Sequence, residues 1–127
     1  MDTIGTFLEK DGDINACPVR SVLDKLGDKW SILVMMVLGE KETMRFNELS
    51  KEIGDISQKM LTVTLRGLEA DGLVKRTIYA QVPPRVEYQI TSMGKSLVPH
   101  IVSLSKWAVD NMPAIKESRA QFEAKVN

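Results

Sequence analysis

Apolar residues recur at helical spacing through the first part of the chain, in three segments separated by turn-forming residues. The first segment contains Ile4, Phe7 and Leu8, the second contains Val19, Val22, Leu23 and Leu26, and the third contains Trp30, Leu33, Val34, Val37 and Leu38. Pro18 is typical of a first helical position and Gly27 of a helix end. Asp28 is a good N-cap for the next helix, which we expect to end at Gly39. The pattern predicts a short amphipathic segment followed by two helices.

The centre of the chain combines a short strand with two helices. Residues 43–46 resemble a strand and lead into a brief helix over residues 47–53. Ser57 is a good N-cap for a helix over residues 58–71, which Gly72 ends. Two helices joined by a tight turn are typical of a helix-turn-helix.

A β-hairpin is predicted directly after these helices. Residues 73–79 are rich in β-branched and aromatic side chains, and apolar and polar residues alternate over residues 86–90. Pro83 and Pro84 cannot donate to a strand ladder, so residues 80–85 are predicted to form the tip.

A long helical region closes the chain, with Thr91 as its predicted N-cap. Its apolar stripe contains Leu97, Ile101, Leu104, Ala108 and Met112. Pro113 is expected to break the region into two helices. The order of elements predicts a mainly α fold with a small β-hairpin wing, a winged helix-turn-helix. Residues 1–127 are expected to form one domain, with the helix-turn-helix and wing over residues 47–90.

The composition fits an ordinary globular domain, with 43% hydrophobic and 27% charged residues in a chain of 127. No apolar run is long enough to cross a membrane, so we expect a cytoplasmic protein that makes no membrane contact. The single cysteine, Cys17, excludes an internal disulfide.

Positive charge is concentrated in the middle of a chain whose net charge is zero. Residues 1–56 hold 7 basic and 11 acidic side chains, whereas residues 57–85 hold 5 basic and 2 acidic ones. Residues 86–127 are nearly balanced in charge, with 5 basic and 4 acidic side chains. A polyanion such as DNA is therefore expected to dock on the central segment.

The helix after Ser57 has two chemically different faces on a helical wheel. One face carries Lys59, Thr62, Val63 and Arg66, and the opposite face carries Leu61, Leu65 and Leu68. Arginine and lysine suit guanine edges or phosphates, threonine suits bases, and valine suits a thymine methyl group. Ser57 and Gln58 lie at the helix N-terminus, which itself favours phosphate. We interpret this helix as the one that enters the major groove.

The hairpin adds three basic residues, Lys75, Arg76 and Arg85, which we expect around its tip and in contact with backbone phosphate or the minor groove. Two alternatives remain for these elements. The charged residues can simply form a solvated surface, or the domain can be a protein–protein interaction module that does not bind DNA. A module of that kind should expose more apolar area.

Several stretches together resemble the HxlR-type regulators, a group of winged helix-turn-helix proteins related to the MarR class. They are Cys17-Pro18-Val19, Gly27-Asp28-Lys29-Trp30, Arg45-Phe46-Asn47-Glu48-Leu49, Ile56-Ser57-Gln58-Lys59-Met60-Leu61, Leu68-Glu69-Ala70-Asp71-Gly72-Leu73-Val74 and Val82-Pro83-Pro84-Arg85-Val86-Glu87-Tyr88. The resemblance covers roughly residues 15–110 in the expected order. It implies a transcriptional regulator that binds double-stranded DNA at a pseudo-palindromic operator.

The resemblance also implies a homodimer formed by the chain termini, here residues 1–14 and 92–127. Apolar residues in these regions are the expected dimer interface. They are Phe7, Leu8, Leu97, Ile101, Leu104, Trp107 and Ala108.

Cys17 is a candidate regulatory residue, because the resemblance implies that a cysteine at this position senses oxidants or electrophiles. Its predicted place at a helix N-terminus favours the thiolate. The alternative is a buried cysteine that serves as a small hydrophobic residue. An unknown small-molecule or oxidant effector is therefore a candidate partner.

The sequence lacks the motifs of enzymes and metal proteins. His100 has no second histidine or cysteine at ligand spacing, so no metal site and no cofactor are expected. Neither a phosphate-binding glycine loop nor a nucleophile motif is present, and we expect no enzymatic activity.

Overall fold

The computed structural model describes residues 18–26 and 28–126, which form five helices and three strands. The elements in chain order are α1 (Pro18–Leu26), α2 (Lys29–Lys41), β1 (Thr43–Arg45), α3 (Phe46–Ile53), α4 (Gln58–Ala70), β2 (Val74–Tyr79), β3 (Arg85–Ile90) and α5 (Ser92–Val126). This is the mainly helical fold with a small sheet that the sequence predicts. Cys17 and the predicted first segment, with Phe7 and Leu8, lie outside the described residues.

The predicted N-caps are confirmed. The Asp28 carboxylate accepts a hydrogen bond from the backbone N–H of Trp30 at 3.1 Å. Ser57 Oγ accepts one from Met60 N–H at 3.1 Å, and Thr91 Oγ1 accepts one from Gly94 N–H at 3.0 Å. Each side chain satisfies a helix N–H that has no carbonyl partner within its own helix.

The prediction that Gly39 ends a helix is wrong, because α2 continues to Lys41. Gly39 instead lies where α2 passes close to α5. A methyl group placed on Gly39 would lie 3.0 Å from Val98 Cγ2, a tight contact, so the missing side chain favours this close approach. Glu42, which has a φ of 68°, ends the helix.

The prediction that Pro113 breaks the last helix is also wrong. α5 runs without interruption for 35 residues and contains both Pro99 and Pro113. A proline inside a helix removes one hydrogen bond, at a cost of about 3 kcal/mol, but it does not prevent helix on either side. Good helix formers such as alanine, lysine, glutamate and glutamine fill much of residues 114–125 and favour continuation.

The wing is a three-stranded antiparallel sheet rather than an isolated hairpin, because β1 pairs with β3 and gives the strand order β1-β3-β2. In the hairpin, Val74 is opposite Ile90 at the base and Tyr79 is opposite Arg85 at the tip end. The turn spans residues 80–84, within the predicted tip. Val74 and Ile90 are buried, so this face of the sheet closes the core.

The core joins the leucine face of α4 to α2, α3, the sheet and α5. Its largest fully buried side chains are Val34, Met35, Leu38, Leu49, Leu61, Leu65, Leu68 and Val74. Ile101 is also buried, and Leu97 packs against the same cluster. Ile101 therefore belongs to the protomer's own core, which corrects its predicted place in an exposed stripe. Leu97 is half-buried, and its place in a dimer interface stays a prediction. Leu104 and Trp107 remain 60% and 57% exposed, and Ala108 is half-buried.

Among the described helices, none has an apolar stretch that could span a membrane.

Candidate nucleic-acid interface

α4 presents the two faces that the helical wheel predicts. Leu61, Leu65 and Leu68 are at most 1% exposed and hold the helix against the core. On the opposite side Lys59, Val63 and Arg66 are exposed and Thr62 is half-buried. Because the leucine face and the free face are separate, we expect substitutions on the free face to leave the packing of α4 intact.

The N-terminal turn of α4 uses some of its polar atoms internally. The Thr62 hydroxyl donates to the Gln58 carbonyl oxygen at 2.8 Å, so it is already engaged as a donor. It can still accept a hydrogen bond, and its methyl group can still contact a thymine methyl. Ser57 Oγ accepts the capping hydrogen bond and keeps its own hydroxyl hydrogen for a ligand.

A small cluster joins the end of α4 to the wing. Arg76 of β2 pairs with Glu69 of α4 at 3.4 Å, and Tyr88 lies opposite Arg76 in β3. Burial raises the pKa of Tyr88. Arg76 and Arg66 oppose this effect, and Glu69 adds to it. Tyr88 therefore remains a neutral phenol at physiological pH. The Glu69–Arg76 pair is a partly exposed contact between α4 and the wing.

Lys75 and Arg76 lie in the base half of the hairpin and not around its tip, which corrects the sequence prediction. Their cross-strand partners are Gln89 and Tyr88, next to the buried end of the sheet. Both side chains are nevertheless exposed. The base of the wing and the free face of α4 therefore both carry positive charge.

Arg85 is at the tip end, as predicted, but its side chain is held in place. Its guanidinium carbon lies 4.3 Å from the centroid of the Tyr79 ring, a cation–π contact. Its Nε is 3.9 Å from a Glu87 carboxylate oxygen, and the side chain is only 32% exposed. The wing thus presents an oriented arginine rather than a freely moving one.

Three contributors to this surface were missed in the sequence: the Glu69–Arg76 pair, the Tyr79–Arg85 contact and Arg45 at the end of β1. The register of β1 against β3 places Arg45 opposite Glu87, and the register of β2 against β3 places Tyr79 opposite Arg85. The Glu69–Arg76 pair depends on how α4 packs against β2. The sequence shows the alternation of apolar and polar residues in the hairpin, but it does not show that β1 pairs with β3. A strand assignment for residues 43–45 with its register would have indicated Arg45.

A recognition helix between a short helix and a three-stranded wing defines the winged helix-turn-helix DNA-binding regulators as a class. A family model for HxlR-like helix-turn-helix proteins matches residues 25–116. The chain belongs to the HxlR-like family, whose members are transcriptional regulators and not enzymes.

Similar proteins include an HTH-type transcriptional regulator of Bacillus subtilis, YybR, which is 42% identical over 106 residues, 82% of each chain. Among solved structures, the transcriptional regulator ytfH from Salmonella typhimurium is 35% identical with a TM-score of 0.74. That likeness covers 84% of this chain and 94% of ytfH. The redox regulator HypR in its reduced form is 41% identical with a TM-score of 0.69, over 79% and 98% of the two chains.

Within the part of the chain that the structure describes, no group of three or more His, Cys, Asp or Glu residues is placed to hold a metal ion.

Proposed function

We propose that this protein regulates transcription by binding double-stranded DNA sequence-specifically as a homodimer. The observation that carries the proposal is the free face of α4, which offers Lys59, Thr62 and Arg66 opposite a fully buried leucine anchor. A helix packed in this way can enter a major groove without disturbing the core.

The proposed roles of the basic residues follow from their positions. Arg66 and Lys59 contact base edges or the rims of the major groove, and Val63, 56% exposed, contacts a thymine methyl group. Lys75 and Arg76 at the base of the wing contact backbone phosphate and contribute affinity without sequence preference. Ser57 and Gln58 add hydrogen bonds at the start of α4.

The direct test is selection of bound sequences from random DNA duplexes with the purified protein. A regulator of this kind should enrich an inverted repeat, with half-sites about one helical turn apart. Its affinity should fall steeply as salt rises. If no duplex is enriched and heparin does not retain the protein, a protein–protein interaction module is the better description.

The homodimer is proposed from apolar surface that the protomer leaves uncovered. On α5, Leu104 and Trp107 are more than half exposed, and Phe122 near its end is 67% exposed. On α1, Val22 and Leu23 are 49% and 55% exposed. Exposed apolar area of this kind is typical of association surfaces, and a two-fold dimer matches a palindromic site.

Sedimentation equilibrium at micromolar concentration should give twice the mass of the chain. Trp107→Glu is expected to shift the equilibrium toward monomer, because burying an unpaired carboxylate in an apolar interface is unfavourable. Val109→Glu is the matched control, since Val109 is also exposed, at 74% against 57% for Trp107, but lies on another side of α5. A monomeric parent protein would contradict the proposal.

Regulation through Cys17 is proposed as a second feature, and the observation that favours it is the similarity to HypR, a redox regulator. With one cysteine per chain, oxidation can yield a sulfenic acid, a mixed disulfide or a disulfide between protomers.

Diamide or peroxide is expected to change DNA affinity, and Cys17→Ser is expected to abolish that response while leaving the affinity of the reduced protein unchanged. Electrophoretic shifts with and without oxidant measure both. A Cys17→Ser protein that still responds to oxidant would refute a sensing role for this thiol.

A further inference from the structure

We propose that the cleft between the start of α3 and the tip of the wing holds one phosphate of the DNA backbone, bound jointly by Arg45 and Arg85. This inference rests on the proposed function and adds a binding subsite away from the free face of α4. It also assigns a role to Arg45, which the sequence pattern alone did not indicate.

The cleft has a volume of about 280 Å³. Residues 45–47 form one wall, and Gln81 with residues 83–86 forms the other. β1 pairs with β3, so the chain enters α3 beside the tip end of β3. The cleft is thus a direct result of sheet register, and it lies between the helix-turn-helix and the wing.

The charge of the cleft suits an anion. Its described lining contains two guanidinium groups, those of Arg45 and Arg85, and no carboxylate. Two carboxylates lie close to the cleft but outside its lining. Glu87 is opposite Arg45 in the sheet and 3.9 Å from Arg85 Nε, and Glu48 accepts a hydrogen bond from the backbone N–H of Arg45 at 2.8 Å. The positive charge therefore belongs to the lining itself. Guanidinium groups bind phosphate oxygens with two parallel hydrogen bonds, which makes phosphate the best-matched anion on a DNA-binding surface.

Arg85 is organised for this contact before DNA arrives. The Tyr79 ring covers one side of its guanidinium group. Arg85 Nε is buried and has no hydrogen-bond acceptor within the described part of the chain. Because Nε is covered by its neighbours, an incoming phosphate oxygen would bond the terminal guanidinium nitrogens of this side chain, which is 32% exposed. Holding the side chain in place also lowers the entropy lost on binding.

If Arg45 and Arg85 share one phosphate, the dependence of DNA affinity on salt concentration should change in a specific way when both are removed. Each phosphate contact contributes about 0.9 to the slope of log affinity against log salt concentration. The double variant Arg45→Ala/Arg85→Ala should therefore reduce the slope by about one unit, whereas two separate phosphates would give about two. Both cognate and scrambled duplexes should weaken by the same factor, because phosphate carries no sequence information.

The decisive measurement pairs these variants with duplexes that carry one neutral methylphosphonate at successive positions. One position should weaken the parent protein and leave the double variant unaffected. Arg119→Ala, which removes an exposed arginine from the far part of α5, is the control and should change neither slope nor pattern. Tyr79→Phe should preserve the parent slope and Tyr79→Leu should reduce it, because only phenylalanine keeps the ring beneath Arg85.

Thermal unfolding of each variant confirms that the fold is retained before binding is compared. A double variant with the parent slope, or with a loss of two units, would overturn the shared phosphate site while leaving DNA binding intact. A parent protein that binds no duplex at all would instead refute the proposed function.

Discussion

Leu65→Ala is expected to lower the free energy of unfolding by about 2–5 kcal/mol. Leu65 is 1% exposed, and it lies in the centre of the leucine face that fixes α4 to the core. Truncation removes buried methyl groups and leaves a cavity that the surrounding helices can fill only partly. Urea unfolding followed by circular dichroism measures the change as a lower transition midpoint.

Val63→Ala is the matched control for this experiment, because Val63 is on the same helix and 56% exposed. Its effect on unfolding should stay within about 0.5–1 kcal/mol, mostly from the change in helix propensity. Equal destabilisation by the two substitutions would mean that α4 is not anchored through its leucine face.

Arg66→Ala is expected to weaken binding to the selected duplex by about 1–3 kcal/mol and to weaken binding to a scrambled duplex by less. Arg66 is exposed on the free face of α4, so the unfolding midpoint should not change. A guanidinium group in the major groove can bond both acceptors of a guanine, and its loss should blur base preference at one position of each half-site. Titrations against both duplexes give the two free energies.

Arg66→Lys separates charge from geometry, because lysine keeps the positive charge but cannot form the same paired hydrogen bonds. It should restore binding to the scrambled duplex and only part of the preference for the selected one. If Arg66→Ala binds both duplexes like the parent protein, the free face of α4 is not the reading surface.

Local features of the fold were predictable because their causes lie within a few residues. Ser57 caps α4 and Thr91 caps α5, as a short polar side chain before a periodic apolar run indicates. The burial of Leu61, Leu65 and Leu68 follows from the helical period alone. The same period placed Lys59 and Arg66 together on the opposite face.

Features that depend on distant parts of the chain were not predictable in this way. Glycine is a common helix terminator, yet Gly39 lies inside α2, where it packs closely against Val98 of α5. Ile101 follows the apolar stripe of α5, but only the packing of the whole domain shows that the protomer buries it. The Arg45–Arg85 cleft requires the register of β1 against β3, which no single segment encodes.

Because α5 is one continuous helix, the rotation of its second half about the helix axis is fixed relative to its first half. Its first half is fixed to the core through Ile101, and its second half carries the exposed Phe122. One residue added between them would turn the distal face by about 100° away from its present direction relative to the recognition helix. Seven added residues would restore the phase to within about 20° and displace the distal face by about 10 Å. The number of residues in α5 therefore sets the direction of its distal face relative to α4. Any partner bound by the distal half would be oriented relative to DNA by that direction.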